Sequence, residues 1–207
     1  MSRVPGTLLA ASVLIACTTL AVAQQETERQ PLQPGAEAPE FTATTLEGVP
    51  LSLDQWEGKV VVLNYFITWY RDAADHLGMM EDLQTLYSRA GMRLVSISLD
   101  EGERGLEQVG ELVREKEIAH PVVVDSDQDI AGLYGVRALP AIFVIGRDGK
   151  IAYYHEGYTE GDELRISRAI ASALGVECAT AETGTAAAAE EQEPEEPICH
   201  CFRQDEE

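Results

Sequence analysis

The most reactive side chains in this 207-residue sequence are the thiols near its carboxyl end. Cys199 and Cys201 flank His200, and Cys178 lies upstream of them. A Cys-x-Cys pair can form a strained and therefore labile disulfide, which is the property of a redox-active pair. Two thiolates and an imidazole are also ligands for a soft metal such as copper(I) or zinc. A third interpretation is one structural disulfide from Cys178 to Cys199 or Cys201, with an odd thiol left for pairing with another chain.

The segment that carries these thiols, residues 176–207, is strongly acidic. It contains ten acidic side chains and one base, Arg203, and Pro194 and Pro197 interrupt it. Such a composition buries too little apolar surface to offset the entropy of ordering, so we expect a disordered tail. The whole chain has 15 basic and 36 acidic side chains and a formal net charge of −21, which argues against binding to nucleic acid or to an anionic membrane surface.

The amino end has the pattern of an export signal. In residues 1–23 the only charge is Arg3, an apolar stretch follows, and Ala21-Val22-Ala23 has the form of a cleavage site. An alternative is a lipoprotein signal at Leu14-Ile15-Ala16-Cys17, in which a lipid on Cys17 would attach the protein to a membrane. In both cases we expect the protein in the periplasm or cell envelope, where its cysteines face an oxidising environment.

Between a polar linker at 24–34 and the tail lies one candidate domain, residues 35–175. Its continuous apolar runs predict buried strands, and its amphipathic stretches that end at glycine predict helices. The predicted order is β-α-β-α-β-α-β-β-α, an α/β fold whose helix-linked strands are parallel and whose final hairpin is antiparallel. The predicted strands are Val60–Phe66, Met92–Leu99, Pro121–Val124, Ala141–Ile145 and Ile151–Tyr154, and the predicted helices are Asp72–Ala90, Gly105–Lys116, Ile130–Tyr134 and Asp162–Leu174.

The spacing also predicts which side chains of the domain face its core. In the second helix, we expect four side chains to point inward, those of Leu106, Val109, Leu112 and Val113. His76, His120 and His155 lie far apart in the sequence and show no spacing typical of metal ligands. We therefore expect each histidine to lie at the surface or at the end of an element.

Several stretches of the domain carry a family resemblance. They are Val62–Trp69, Tyr134–Ile145 followed by Arg147–Ile151, and, nearer the start, Pro34-Gly35, Ala38-Pro39, Phe41 and Gly58-Lys59. Together they resemble exported thioredoxin-like proteins of the TlpA/ResA type, which are related to the redoxins and peroxiredoxins. The resemblance covers essentially all of 34–175 and implies a thioredoxin-like fold, with a central mixed β-sheet flanked by helices. It also implies thiol–disulfide oxidoreduction and a cis peptide bond before Pro140.

The residues that perform this chemistry in the family are missing. The resemblance implies a Cys-x-x-Cys motif after Trp69, where a helix amino end would stabilise a thiolate. The matched residues here are Tyr70-Arg71-Asp72-Ala73, and no cysteine occurs between Cys17 and Cys178. Dithiol and peroxidatic reactions at this position are therefore excluded. The family's helix-kinking proline is also replaced, by Gly78.

We therefore expect a family member that binds a polypeptide or an envelope protein at the vacant position. The expected binding residues are Trp69, Tyr70, Arg71, Leu139 and Pro140. Trp, Tyr and Arg are favoured at interfaces, and the backbone before a cis-proline can bind a peptide by strand addition. The alternatives are a site that only packs, a thiol–disulfide oxidoreductase that uses Cys199, Cys201 and Cys178, and soft-metal binding by Cys199, His200 and Cys201. We expect no cofactor, and Asp72 is expected to be a helix N-cap or first-turn acid.

Overall fold

The structure, a computed structural model, describes residues 30–159 and 161–176. The predicted export signal at 1–23, residues 24–29 of the predicted linker and all of the tail beyond residue 176 lie outside these ranges. All four cysteines of the chain also lie outside them, so the redox and metal interpretations of the thiols remain predictions.

Seven strands and four α-helices make up the described part of the chain. The strands and helices predicted from the apolar pattern are all present, and the bounds of three elements match the prediction. In chain order the elements are β1 Thr42–Thr44, β2 Pro50–Ser52, β3 Val60–Phe66, α1 Ala73–Tyr87, β4 Met92–Ser98, α2 Gly102–Glu115, β5 Val122–Val124, α3 Asp129–Tyr134, β6 Ala141–Ile145, β7 Ile151–Glu156 and α4 Asp162–Leu174.

The hairpin of β1 and β2 was not predicted. Its strands pair antiparallel, with Ala43 opposite Leu51. Each strand has only three residues, and β2 begins at Pro50, so the sequence shows no alternation long enough to indicate a strand.

The main sheet has five strands in the order β5-β4-β3-β6-β7. As predicted, β3, β4 and β5 are parallel and β6 and β7 form an antiparallel hairpin. The prediction that β6 is parallel was wrong, because β6 pairs antiparallel with β3. The reason is length: six-residue α3 rises only about 9 Å, whereas β3 extends about 23 Å. The connection from β5 therefore stays at the end of the sheet where β3, β4 and β5 finish. It crosses to the other side of β3, and β6 starts there and runs back.

Both faces of the sheet are covered. On one face Leu63, Tyr65 and Phe143 pack with α3 and the amino-terminal segment, and on the other Val62 and Val144 pack with α1 and α4. This burial on both sides explains why β3 and β6 read as unbroken apolar runs. Within the described residues, no helix is both long enough and apolar enough to cross a membrane.

Helix α2 contributes less to the core than predicted. Val109 is fully buried, and Leu112 and Val113 are partly buried against the same cluster. Leu106, however, is 49% exposed, so its predicted inward orientation was wrong. The face of α2 that approaches the sheet instead includes Gly105, where an added Cβ would lie 2.9 Å from Cβ of Asp100. The helix therefore packs through its smallest residue at this point.

Candidate functional site

The position matched to the missing cysteines lies between the carboxyl end of β3 and the amino end of α1. Trp69 is 76% exposed there, whereas Tyr70 is half-buried. Asp72 occupies the N-cap position of α1, as expected, but its side chain caps no backbone N–H. Its carboxylate instead lies 3.5 Å from Nε of Arg71, whose side chain is almost fully exposed. Trp69 and Arg71 therefore both point toward solvent beside the helix end.

The loop before β6 closes the site from the other side. The peptide bond between Leu139 and Pro140 is cis, as the family resemblance implied. Both residues line a small pocket together with Tyr70 and Ala73, which are the two residues at the cysteine positions. The pocket has a volume of about 10 Å³, the size of a single water site. The structure thus brings Tyr70, Leu139 and Pro140 together as predicted.

A larger open groove lies next to this pocket. Trp69 and Leu139 line it, Arg104 and Arg137 contribute charge, and its volume is about 550 Å³. Arg71 lines neither the groove nor the small pocket. The predicted binding residues therefore divide into a connected set, Trp69, Tyr70, Leu139 and Pro140, and one exposed cation beside them.

The segment that presents Trp69 is held in place by Asp100, which follows β4. Oδ2 of Asp100 accepts hydrogen bonds from the backbone N–H of Thr68 at 2.9 Å and from Oγ of Ser98 at 2.7 Å. Oδ1 accepts a third from Oγ1 of Thr68 at 2.6 Å. Asp100 is 4% exposed, and hydrogen bonds to a carboxylate are among the stronger ones. The neighbouring strand therefore fixes the turn that carries Trp69.

Beneath the site lies His76, which was predicted to be a surface or boundary residue and is in fact 2% exposed. It lines the small pocket below Tyr70. Its Nε2 lies 2.7 Å from Oδ1 of Asn64, which is fully buried in the middle of β3. Burial lowers the pKa of His76 to about 4, so the imidazole is neutral near neutral pH. The prediction failed because His76 lies on the inward face of α1, between Ala73 and Leu77.

His76 is one end of a chain of five hydrogen-bonded side chains, which we call the polar chain. Nδ2 of Asn64 donates to Oγ of Ser96 at 3.0 Å, and Oγ of Ser96 lies 2.8 Å from Nε2 of His120. Nδ1 of His120 in turn lies 2.6 Å from Oε2 of Glu81. His120 was also predicted to be a boundary residue, and this too was wrong, because it is 4% exposed.

The protonation states of His120 and Glu81, at one end of the polar chain, set the direction of its hydrogen bonds. Burial lowers the pKa of His120, although Glu81 opposes the effect. The pKa of Glu81 is lowered too, because hydrogen bonds from Ala119 and His120 outweigh the effect of burial. A neutral His120 therefore donates from Nδ1 to Glu81 and accepts the Ser96 hydroxyl at Nε2.

The same logic fixes the other end of the polar chain. Since Ser96 donates to His120, it accepts from Asn64, and Oδ1 of Asn64 accepts from Nε2–H of His76. Nδ1 of His76 is then a lone-pair acceptor, and it is buried without a hydrogen-bond partner among the described residues.

The third histidine contacts the amino end of α4. Nε2 of the partly buried His155 lies 3.0 Å from Oδ2 of Asp162. Asp162 also accepts the backbone N–H and the hydroxyl of Thr159 and pairs with Arg165 at 2.9 Å. Burial acts to raise the pKa of Asp162, but the hydrogen bonds from Thr159 and the nearby His155 ring lower it overall. This cluster holds the loop after β7 to α4, and His155 is the one histidine at an element end, as predicted.

No thiol lies among the described residues, so the site itself has no redox-active or nucleophilic sulfur. In the same part of the chain, no three His, Cys, Asp or Glu side chains are grouped so that they could hold a metal ion. The predicted redox residues Cys199, Cys201 and Cys178, and the weak metal candidate that includes His200, lie outside the described residues.

The polar chain is the feature that the sequence analysis missed, although one signal was visible. Asn64 interrupts the otherwise apolar run VVVLNYF, and Ser96 lies in the buried strand β4. A polar side chain inside such a run must find a buried partner. His76 has the same signal, since it shares the spacing of the apolar stripe of α1.

Comparison with known proteins agrees with this geometry. Residues 34–154 match the AhpC/TSA family. The thiol–disulfide oxidoreductase ResA of Bacillus anthracis is 33% identical over 124 residues, which cover 60% of this chain and 70% of that protein. ResA of Bacillus thuringiensis subsp. konkukian is 30% identical over 138 residues, covering 67% and 78% of the two chains.

Solved structures show the same fold. A putative thiol:disulfide interchange protein DsbE from Chlorobium tepidum superposes with a TM-score of 0.65 and 26% identity, covering 70% of this chain and 99% of that one. The fold is the expected thioredoxin-like α/β architecture, a mixed five-stranded sheet flanked by helices. The chain thus belongs to the AhpC/TSA family of redoxins, as a thioredoxin-like protein of the TlpA/ResA thiol–disulfide oxidoreductase type.

Proposed function

We propose that this protein binds an extended polypeptide or an envelope protein at the surface formed by Trp69, Tyr70, Arg71, Leu139 and Pro140, without thiol chemistry at that surface. The observation that carries the proposal is the 76% exposure of Trp69 at the edge of the groove. We also infer from the pattern of residues 1–23 that the protein is exported to the periplasm or cell envelope.

The exposure of Trp69 supports a binding role, because it leaves a large apolar side chain in contact with water. A tryptophan side chain gains several kcal/mol at most when it is buried at an interface, and Trp, Tyr and Arg dominate interface hot spots. Trp69 does not pack against the core, whereas the other tryptophan, Trp56, does. Arg71 adds an exposed guanidinium that can bind a carboxylate or a carbonyl of the ligand.

The backbone of the loop supports an extended ligand. The N–H and C=O of Leu139 form no hydrogen bond with any described residue, whereas the carbonyl of Pro140 accepts the N–H of Gly157 at 2.8 Å. An unpaired donor and acceptor next to a strand are suited to a peptide that adds to the backbone as a further strand. Ala73 and the small pocket leave room for little more than one small group, so most of the contact area would come from the groove.

A second candidate function is supported by the family itself. The relatives are thiol–disulfide oxidoreductases, and the thiols of this chain beyond residue 17 are Cys178, Cys199 and Cys201. In this scheme the Cys199 and Cys201 thiols are oxidised to a disulfide while a partner disulfide is reduced to two thiols. A further alternative is the binding of a soft metal, copper or zinc, by Cys199, His200 and Cys201.

The binding proposal is tested with an unfolded polypeptide that lacks free thiols. The probe is reduced, carboxamidomethylated ribonuclease A, which has no tryptophan, added to a Trp56→Phe variant whose one remaining indole is Trp69. We expect a saturable change in Trp69 fluorescence. In parallel calorimetry, Trp69→Ala should weaken binding by about tenfold or more, as hot-spot truncations do.

The matched control is Leu164→Ala, which truncates a side chain that is 45% exposed on α4, outside the proposed surface. It should leave the affinity for the polypeptide unchanged. Equal affinities of the parent and Trp69→Ala proteins, or no binding at all, would reject the proposed function.

A further inference from the structure

Another cavity lies beside α1, away from the proposed binding surface. Its volume is about 480 Å³, within the range of small-molecule sites. We call it the α1 cavity, and its polar lining residues are Glu81, Gln84, Thr85, Ser88, Arg89 and His120. Five of these residues follow one another at helical spacing on the same side of α1 and of the turn after it, so they form a single stripe.

One end of this stripe has two acceptor oxygens without partners. Oε2 of Glu81 is occupied by the backbone N–H of Ala119, the backbone N–H of His120 and the His120 ring. No contact engages Oε1 of Glu81 within the described residues, and Oε1 of Gln84 is buried without a hydrogen-bond partner there. A buried acceptor left without a donor is costly, so a ligand that donates hydrogen bonds is favoured at this point.

Hydrogen bonds hold the Glu81 carboxylate, at this end of the stripe, in one conformation. His120 has a fully buried side chain and holds Oε2 of Glu81 at 2.6 Å. Since Oε2 already accepts three hydrogen bonds, Glu81 cannot rotate without breaking them. The carboxylate therefore presents Oε1 in one orientation, which is what a built binding site requires.

The other end of the stripe carries a cation. Arg89 is exposed and forms no ion pair or hydrogen bond with any described residue. Its guanidinium is suited to a carboxylate, which it can bind through two parallel hydrogen bonds. Thr85 and Ser88 add hydroxyl groups between the two ends.

We propose that the α1 cavity binds a small zwitterion of dipeptide length, with its ammonium group at Glu81 and Gln84 and its carboxylate at Arg89. An ammonium group has three donors and no acceptor, which matches the two free acceptor oxygens. The five helical steps from Gln84 to Arg89 rise about 7.5 Å, close to the length of an extended dipeptide. The ligand class thus follows from the order of charges along α1, and it is independent of the proposed function.

The test uses three peptides that differ only in their end groups. Glycylglycine, N-acetylglycylglycine and glycylglycinamide are titrated into the isotopically labelled chain, and the backbone amide signals of Ala119 and His120 are followed by NMR. We expect saturable shifts with glycylglycine. We expect affinity at least about tenfold lower for each capped peptide, because each lacks one charged contact.

Variants locate the site. Gln84→Leu removes a free acceptor without touching the polar chain, and it should weaken glycylglycine by about tenfold. Asp82→Asn changes an exposed acid of the same helix outside the lining and should have no effect. The proposal is overturned if glycylglycine gives no saturable shift, if the capped peptides bind equally well, or if Gln84→Leu binds as the parent does.

Discussion

Nε2 of His76 lies 2.7 Å from Oδ1 of Asn64, and this hydrogen bond joins the floor of the candidate site to the interior of the sheet. His76 lines the same pocket as Tyr70 and Ala73, the residues at the cysteine positions. From Asn64 the polar chain continues to Glu81 under α1. The residues below the vacant position therefore form a hydrogen-bonded network of buried polar groups, in which Nδ1 of His76 has no partner among the described residues, rather than an apolar core.

The neutral state of His76 makes folding stability depend on pH. Its pKa is about 4 in the folded protein, whereas an unfolded histidine has a pKa of about 6.5. Between these values the unfolded chain binds more protons, so stability rises with pH across this window. On acidification to about pH 4, His76 alone should cost about 3 kcal/mol of unfolding free energy.

The measurement is urea denaturation of the parent and of His76→Gln across this pH range. Glutamine keeps an N–H donor toward Asn64 and does not titrate. The difference in unfolding free energy between the two proteins should shrink toward acid pH. Only the parent loses stability there through protonation of His76 in the unfolded chain, because glutamine does not titrate. Parallel pH profiles for the two proteins would show that His76 is not held neutral.

Ser96 is the link whose loss should break the polar chain in the middle. Ser96→Ala leaves Nδ2 of Asn64 without an acceptor and Nε2 of His120 without a donor. The unfolding free energy should fall by about 1–3 kcal/mol, the cost of an unsatisfied buried polar group. Ser172→Ala, at an exposed position of α4, is the control and should stay within about 0.5 kcal/mol of the parent. Equal losses of unfolding free energy in the two variants would show that Ser96 does not link the polar chain as described.

Asp100 should control the order of the segment that carries Trp69. Asp100→Asn replaces one of the two acceptor oxygens by an NH2 group, which can only donate, so the hydrogen bonds from the Thr68 N–H, the Thr68 hydroxyl and the Ser98 hydroxyl can no longer all form. Hydrogen exchange at the Thr68 amide should accelerate by about tenfold, and polypeptide binding should weaken with it. Asp127→Asn, which changes an exposed acid on the loop after β5, serves as the control. Unchanged exchange at Thr68 would show that Asp100 does not hold the turn.

The vacant position should regain the family's chemistry when its cysteines are restored. The test protein carries Tyr70→Cys and Ala73→Cys in a background with Cys178, Cys199 and Cys201 changed to serine. With dithiothreitol as the reductant, its new thiols should be oxidised to a disulfide as insulin disulfides are reduced. Insulin reduction should exceed that of Tyr70→Cys alone by about tenfold or more, since the helix amino end favours the attacking thiolate. An inert double variant would mean that the segment no longer has the family's geometry.

The fold was predictable where burial imposes a simple pattern. Val60–Phe66 and Ala141–Ile145 are covered on both faces, so their sequences are unbroken apolar runs with the bounds that the structure shows. The direction of β6 was not predictable in this way, because it depends on the path of the chain after Val124 rather than on any local pattern. The hairpin at Thr42–Ser52 has strands too short to show alternation.

Only the surface residues of the candidate site could be predicted from the sequence. The resemblance located Trp69, Tyr70 and the loop at Pro140, and the structure brings them together. The residues that support them from below were missed. The inward position of His76 was visible in the spacing of α1, but its hydrogen-bond partner on a distant strand was not. His76 and Asn64 are 12 positions apart, and Ser96 and His120 are 24 apart, so spacing alone does not pair them.

The central claim is that the surface around Trp69 binds a polypeptide without help from the tail thiols. The most direct measurement compares the parent chain with its Cys178→Ser, Cys199→Ser, Cys201→Ser variant in two assays, affinity for carboxamidomethylated ribonuclease A and reduction of insulin. We predict the same affinity for both proteins, and no insulin reduction by either. Insulin reduction by the parent that disappears in the serine variant would contradict the claim and would transfer the function to the tail.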